Sequence, residues 1–259
     1  VHLKVETGLN RLGVVPAALK GLVEDLPGLE IEGVYTHFAD VEDPESSFYQ
    51  RQLERLGEAV RHFEEGLLAH AVPSAGALLH PAESLHLARV GIGLYGIWPS
   101  AATRAEAKAA GELSPVLSWK ARLAQVKTVP AGGTVGYDVT YRAPSERRVG
   151  IVPAGYADGF DRRLSNRGRV LVRGKSAPVV GRVAMNMFMV DVTEAGASDG
   201  DEIVLMGEQA GAVLTADEVA DSIGTIAYEI LARLSPRLAR HFREAANEGN
   251  VGGSPVERR

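Results

Sequence analysis

The first 96 residues alternate between short apolar runs and stretches of helical periodicity, and this alternation constrains the fold more than any other feature of the chain. The apolar runs are Val1–Val5, Gly33–Phe38, Leu68–Val72 and Ala88–Ile92, and the helical stretches lie near residues 15–26, 45–66 and 76–80. Repeated β/α units predict a parallel sheet, because successive parallel strands require a crossover connection. About four units are present, half of what an eight-stranded (β/α)₈ TIM-type barrel needs to close, so we predict a partial barrel over residues 1–112. Its unpaired edges predict instability when this half is isolated.

A polar stretch at residues 100–113 leads into a different pattern. Short β-branched runs punctuated by glycine follow, at Ser118–Val129, Val149–Pro153, Arg169–Val172, Ala177–Val180, Phe188–Val192 and Glu202–Leu205. A closing helix is predicted near 215–233, because Thr215 is a favourable N-cap and acidic residues fill the first turn. The pattern predicts a second, mainly β domain over residues 113–243, giving an α/β plus β chain. Residues 244–259 are predicted to be a disordered tail.

Composition narrows the classes of partner. No apolar run approaches the ~20 residues that span a bilayer, so we expect a cytoplasmic protein that does not enter a membrane. The net charge of -5 gives no basic surface for nucleic acid, which favours a small-molecule partner. With no cysteine and no histidine pair at metal-ligand spacing, we expect no metal site.

The run from Arg89 to Gly96 carries the strongest chemical signal. Three glycines and a cation follow a short apolar run, which suits a phosphate held on backbone N–H groups beside a fixed positive charge. Gly91, Gly93 and Gly96 also match the dinucleotide pattern G-x-G-x-x-G, but Pro99 interrupts the long helix that this pattern needs. The run therefore predicts a phosphate-bearing cofactor, with a dinucleotide site or a purely structural turn as the alternatives.

Five further segments accompany the glycine run: HLKVETGLNRLG at 2–13, YTHF at 35–38, VGYD at 135–138, PAGYADG at 153–159 and TIAYE at 225–229. In their order and spacing they resemble the alanine racemase family, pyridoxal phosphate enzymes built from a barrel and a β domain. The resemblance covers about residues 1–243. It implies a two-base interconversion of L- and D-alanine, which supplies D-alanine for peptidoglycan, in a head-to-tail homodimer with shared active sites.

The resemblance also implies how Arg89 would act. In the family this arginine faces the pyridine nitrogen of the cofactor, where many other pyridoxal enzymes place a carboxylate. A guanidinium cannot accept the proton of that nitrogen, so the nitrogen stays neutral and a carbanion on the substrate is less delocalised. Return of a proton is then favoured over transamination. The alternative for Arg89 is a surface ion pair.

Two more catalytic roles follow from the resemblance. Tyr137 matches the tyrosine that reaches into the partner subunit and exchanges a proton with the substrate α-carbon. Because a phenol titrates near pH ~10, a tyrosine that acts as a base needs a cationic or hydrogen-bonding neighbourhood, which His37 and Arg89 are expected to supply. His37 matches the histidine that links the tyrosine to the arginine. The alternatives are a core histidine for His37 and a packing aromatic for Tyr137.

The other candidate residues are binding residues. Four match the contacts that the family makes to the cofactor phosphate: Ser74, Gly91, Ile92 and Tyr228. Four match substrate-binding positions, namely Arg11 for the carboxylate, Lys4 as a lysine often carbamylated, and Met185 and Tyr156 from the second subunit. Ser74 could instead be an N-cap, and Lys4 could be merely solvated.

The chain departs from the family pattern in several places. Pro73 stands where the family usually has Asn, Asn186 follows Met185 where Asp is common, and Ala184 replaces a frequent cysteine. Asn186 and Pro73 leave a broad-specificity or serine racemase open. Nothing in the chain resembles the segment that carries the Schiff-base lysine, and Val1 begins inside an apolar run, so we expect a missing N-terminal segment and no activity from the chain alone. A non-catalytic fragment or binding module is the remaining alternative.

Overall fold

A computed structural model describes residues 1–43, 45–61, 63, 66–83, 85–107 and 111–243. The chain divides into two compact units, Val1–Leu117 and a second unit that begins at Ser118. The predicted tail at 244–259 lies outside the described residues. Within the described part of the chain, no helix combines the length and the apolar character required to cross a bilayer.

The N-terminal unit is built on a four-stranded sheet. Its strands are β1 (His2–Lys4), β2 (Gly33–Tyr35), β3 (Leu68–Pro73) and β4 (Leu87–Arg89), which pair in that order and are all parallel. The helices are α1 (Leu19–Glu24), α2 (Phe48–Val60), α3 (Ser74–Leu79) and α4 (Ala101–Glu106). The predicted parallel sheet is therefore confirmed.

The core of this unit forms between the sheet and α2. Along α2 the buried side chains recur at helical spacing, at Tyr49, Gln52, Leu56 and Ala59, so one face of the helix is apolar apart from a single amide. Tyr49, Leu56 and Ala59 pack in one cluster with strand residues that include Val34 and Val72. This packing holds the carboxyl ends of the strands in place, and the chemistry-bearing side chains lie there.

The C-terminal unit is mainly β, as predicted. Its strands are β5 (Trp119–Arg122), β6 (Gln125–Val129), β7 (Thr134–Val135), β8 (Tyr141–Arg142), β9 (Arg147–Val152), β10 (Arg169–Val172), β11 (Lys175–Pro178), β12 (Phe188–Asp191), β13 (Glu202–Gln209) and β14 (Ala212–Leu214). One sheet has the order β11-β10-β13-β14 with β5 also on β13, a second has the order β12-β9-β6, and β7 pairs with β8. Every described pairing in this unit is antiparallel.

Three details of the sequence prediction were wrong. The run 118–129 is two strands, since the chain leaves β5 and pairs again as β6. The helix expected over 215–233 is α5 (Ala216–Ile223) and α6 (Ala227–Ala232), because Gly224 adopts φ +68° and ends the first helix. The strand expected over 88–92 ends at Arg89, where a one-turn 3₁₀ helix, Ile92–Tyr95, soon follows. The N-cap Thr215 is confirmed, and with Glu218 it forms a capping box.

Candidate active site

Arg89, the last residue of β4, is the centre of a cluster at the ends of the parallel strands. Its Nη1 lies 2.6 Å from Nδ1 of His70, and its Nη2 donates to the carbonyl oxygens of Thr36 at 2.7 Å and Ala71 at 2.9 Å. The same Nη2 lies 3.2 Å from Nδ1 of His37. All four acceptors are neutral, and the ion pairs among the described residues do not include Arg89.

His70 is a part of this cluster that sequence reasoning missed. It is only 7% exposed, it stacks on Tyr35 with ring centroids 5.0 Å apart, and its Nε2 lies 2.8 Å from Nδ1 of His2. Burial, together with the charge of Arg89 and the proximity of His2, lowers the pKa of His70 from 6.5 to about 4. A histidine within the apolar run LAHAV was the available signal, since a buried imidazole needs polar partners.

His37 lies just beyond β2 and faces several cations. Its carbonyl oxygen accepts a hydrogen bond from Nε2 of the buried Gln52 at 3.1 Å, which fixes the loop. Burial, followed by the positive charges of Arg89, Arg11 and Lys4, lowers the pKa of His37. The structure therefore brings Arg89, Arg11 and Lys4 near one imidazole, and that imidazole is neutral at neutral pH.

The loop that carries Arg11 is organised by Glu6, a second residue that sequence reasoning did not single out. Burial alone would raise the pKa of Glu6, but backbone N–H groups of Asn10, Gly8 and Arg11 outweigh it and lower the pKa. A carboxylate thus holds the loop by its amides. Gly13 closes the loop at φ +130°, and a Cβ there would lie 2.8 Å from the Glu6 nitrogen. Only glycine fits this close approach.

Ser74 joins the strand β3 to the glycine run. It is the first residue of α3 and is buried, and its Oγ accepts hydrogen bonds from the backbone nitrogens of Gly91 at 2.9 Å and Gly93 at 3.3 Å. The four-residue 3₁₀ helix that follows ends at Gly96, whose φ is +69°. A dinucleotide fold requires a long helix at this point, so the dinucleotide interpretation is not supported.

The remaining candidates lie in the C-terminal unit. Tyr137 is 70% exposed in a turn where Asp138 and Val139 both have positive φ, at 60° and 52°. Asp138 accepts a hydrogen bond from Nε of Arg182 at 3.2 Å, which connects this turn to the segment that contains Arg182. A β-branched residue at positive φ is strained, so the surrounding structure must hold this turn in place.

Tyr156 and Met185 are neighbours in this unit. The backbone nitrogen of Tyr156 donates to the Ala184 oxygen at 3.1 Å, and that of Ala157 donates to the Met185 oxygen at 2.9 Å. Both side chains are exposed. Tyr228, the second residue of α6, is also exposed.

Comparisons with known proteins cover both units of the chain. Residues 1–99 match the family model of the alanine racemase N-terminal domain, and residues 116–242 match that of the C-terminal domain. The alanine racemase of Carboxydothermus hydrogenoformans is 44% identical over 248 residues, which cover 93% of this chain and 67% of that protein. The chain belongs to the alanine racemase family.

Solved alanine racemases share the fold. A structure of the Bacillus anthracis enzyme with bound L-Ala-P has a TM-score of 0.88 and 36% identity, over 95% of this chain and 65% of that one. A structure of the Bartonella henselae alanine racemase with covalently bound pyridoxal phosphate has a TM-score of 0.78 and 28% identity, over 91% and 64% of the two chains. The present chain spans about two thirds of the length of the curated alanine racemases that it matches.

Proposed function

We propose that this chain is part of a pyridoxal phosphate-dependent amino-acid racemase, a cytoplasmic homodimer that interconverts L- and D-alanine and supplies D-alanine for peptidoglycan. The observation that carries the proposal is the surroundings of Arg89. Its guanidinium is held by neutral acceptors, and Gly91, two residues further along the chain, donates its backbone N–H to Ser74. Membership of the alanine racemase family and the pyridoxal phosphate bound in the Bartonella henselae relative support it.

The donor groups of the N-terminal unit fit the cofactor. The described contacts of Arg89 use Nη1 and Nη2. We therefore propose that its Nε–H donates the hydrogen bond that a neutral pyridine nitrogen would accept. Around Ser74, a hydroxyl and two backbone amides converge, which suits a phosphate dianion. We propose that Ser74, Gly91, Ile92 and Tyr228 hold the phosphate. When bound, pyridoxal phosphate withdraws electrons from the substrate α-carbon and makes its proton acidic.

We propose that Tyr137 moves this proton in the site of the partner subunit. Because the phenol is exposed, it is available to a second chain. The strained turn, which the surrounding structure must hold in place, restricts the position of the Tyr137 backbone. His37, whose Nδ1 faces the Arg89 guanidinium, carries its proton on Nε2 and can donate to the phenol oxygen. This hydrogen bond orients the phenol oxygen of Tyr137 for proton transfer with the substrate α-carbon.

Substrate binding is assigned to four residues. We propose that Arg11 binds the substrate carboxylate and that Lys4, when carbamylated, holds Arg11 in place. The shared influence of these two cations on His37 supports their placement beside the reacting centre. Tyr156 and Met185 would line the substrate pocket of the partner, which their adjacency and exposure support.

The reaction also needs an amine that holds the cofactor and acts as the second base. We propose that a lysine outside these 259 residues supplies it, together with the strands that complete the barrel. Support comes from the greater length of the curated relatives and from β1 and β4, which stand at the two ends of the sheet.

The proposal is tested with the chain extended by a lysine-bearing segment from a related racemase. Replacing Tyr137 by Phe removes one of the two bases, so kcat for racemisation should fall by about 10²-fold or more. Tyr141→Phe is the matched control, because Tyr141 lies four residues away in β8. Undiminished turnover in the Tyr137 variant would contradict the assignment.

A broader substrate range is the second candidate. Asn186 replaces a common carboxylate and lies at the tip of an exposed turn, in which the Ala184 nitrogen donates to the Met187 oxygen at 2.9 Å. Losing a negative charge beside the substrate would relax discrimination against polar side chains. Comparing kcat/KM for alanine, serine and lysine separates the two candidates. Absence of turnover with all three would favour a non-catalytic module.

A further inference from the structure

The four parallel strands each contribute one side chain to a continuous polar row. His2 comes from β1, Tyr35 from β2, His70 from β3 and Arg89 from β4. His70 stacks face to face on Tyr35, with an interplanar angle of 4°, and the Arg89 guanidinium carbon lies 5.3 Å from the centre of the Tyr35 ring. Adjacent strands in parallel register bring these distant residues together, since Tyr35 pairs with His70.

The hydrogen bonds of this row can run in only one direction. A guanidinium has no acceptor, so Nδ1 of His70 must accept from Nη1 of Arg89. The proton of the neutral His70 ring therefore sits on Nε2, where it is donated to Nδ1 of His2 at 2.8 Å. His2 must then carry its own proton on Nε2. A cationic His70 would point an N–H at the guanidinium and break the contact.

We propose that His70 is a positioning residue for Arg89 and that His2 accepts the Nε2 proton of His70. We call His2, His70 and Arg89 the histidine relay. The inference rests on the proposed function in one respect, which is that Arg89 faces the cofactor. Neither histidine needs to touch substrate or cofactor.

The geometry explains why His70 is needed. The carbonyl oxygens of Thr36 and Ala71 both bind Nη2, so they hold one corner of the planar guanidinium. His70 holds the other terminal nitrogen, Nη1, and the third nitrogen, Nε, is bonded to the side chain. With all three nitrogens constrained, the direction in which Nε–H points is fixed, and that donor is the one proposed for the pyridine nitrogen. Without His70 the group could rotate about the corner that remains.

Two near-isosteric substitutions separate positioning from packing. The side-chain oxygen of Asn occupies the place of Nδ1, so His70→Asn keeps an acceptor for Arg89. The amide of Gln reaches the place of Nε2 instead, so His70→Gln keeps a partner for His2 and loses the acceptor. We expect the dissociation constant for pyridoxal phosphate to change by less than about 3-fold in the Asn variant and to rise about 10-fold or more in the Gln variant. A packing role would favour Gln, which is closer to histidine in size.

The control is His86→Asn. His86 lies beside the same sheet, and its Nδ1 accepts from the Ala69 nitrogen at 3.0 Å without taking part in the relay. Cofactor affinity should be unchanged in this variant. Equal affinity in the Asn and Gln variants of His70 would overturn the relay while leaving the proposed function intact.

A second measurement requires no cofactor. Long-range ¹H–¹⁵N spectra of the 259-residue protein should show both His70 and His2 as neutral Nε2–H tautomers. In His2→Leu, His70 should keep this tautomer, because the Arg89 guanidinium still needs an acceptor at Nδ1. A His70 ring that is protonated on Nδ1 at neutral pH would overturn the inference. Cofactor affinities are measured on the chain extended by the lysine-bearing segment. If that extended chain fails to bind pyridoxal phosphate, the proposed function fails, and the spectra still decide the relay.

Discussion

Acidification should destabilise the N-terminal unit through His70. The pKa of His70 is lowered from 6.5 to about 4 in the folded protein, mainly by burial, then by Arg89 and His2. The unfolded chain therefore binds a proton on this residue at a higher pH than the folded chain does. Stability is full above pH 6.5, falls as the pH drops through the window from 6.5 to about 4, and is constant in this respect below it.

The magnitude follows from the two pKa values. Between about pH 7.5 and about pH 5, the unfolded chain binds a proton on His70 that the folded chain excludes. This difference lowers the free energy of unfolding by about 2 kcal/mol at most. Solvent screening reduces this upper figure, so we expect a loss of about 1 to 2 kcal/mol. His37, whose pKa is also lowered, contributes with the same sign. His70→Asn has no group that titrates in this range, so the difference between it and the wild type isolates His70.

The assay is urea denaturation at several pH values, with tryptophan fluorescence as the probe. The chain has two tryptophans, of which Trp98 is buried in the N-terminal unit and Trp119 lies in the C-terminal unit. A Trp119→Phe background leaves Trp98 as the reporter of the unit that contains His70. If wild type and His70→Asn lose the same free energy between the two pH values, the burial argument for His70 is refuted.

Two further substitutions test the packing around the proposed sites. Ser74→Ala leaves the backbone nitrogens of Gly91 and Gly93 without their acceptor, so the unfolding free energy of the N-terminal unit should fall by about 1 to 3 kcal/mol. An unchanged urea midpoint would show that the two amides find other partners. Gly155→Ala places a Cβ 2.3 Å from the Ala184 oxygen, so we expect a loss of about 1 to 3 kcal/mol or more, read from unfolding of the C-terminal unit. Full stability in that variant would mean that the two loops can separate.

Sequence patterns predicted the architecture because apolar residues recur at different spacings in the helices of the N-terminal unit and in the strands of the C-terminal unit. Apolar runs between amphipathic helices indicated the parallel sheet, and the buried positions of α2 follow the helical spacing. The short strands β7, β8 and β14 were missed, since two or three residues carry no measurable alternation. The break at Gly224 depends on a left-handed residue, which a single glycine signals only weakly.

The candidate site was only partly predictable. Residues in motifs, such as Arg89 and His37, were named from the sequence, and the structure places them 3.2 Å apart. His70 and Glu6 were not singled out, because their roles depend on what surrounds them. Glu6 acts through backbone amides of its own loop, and His70 acts through strands that are far apart in the chain. A histidine inside an apolar run indicates that a buried imidazole needs a polar partner, but the run does not show which strand supplies that partner.

The neutrality of the partners around Arg89 is the physical feature that connects fold and proposed chemistry. A carboxylate partner would compensate the guanidinium and weaken its field at a bound ligand, whereas carbonyl oxygens and neutral imidazoles hold its orientation without cancelling its charge. Burying a charge in this way is costly, and the hydrogen bonds to β3 and to the segment that follows β2 offset the loss of solvation. Burial, and then repulsion between the guanidinium and a cationic imidazole, lowers the pKa of both neighbouring histidines. Burial and the charge that would serve the cofactor therefore keep His37 and His70 neutral, so that each can accept a hydrogen bond from Arg89 and donate one from its other ring nitrogen.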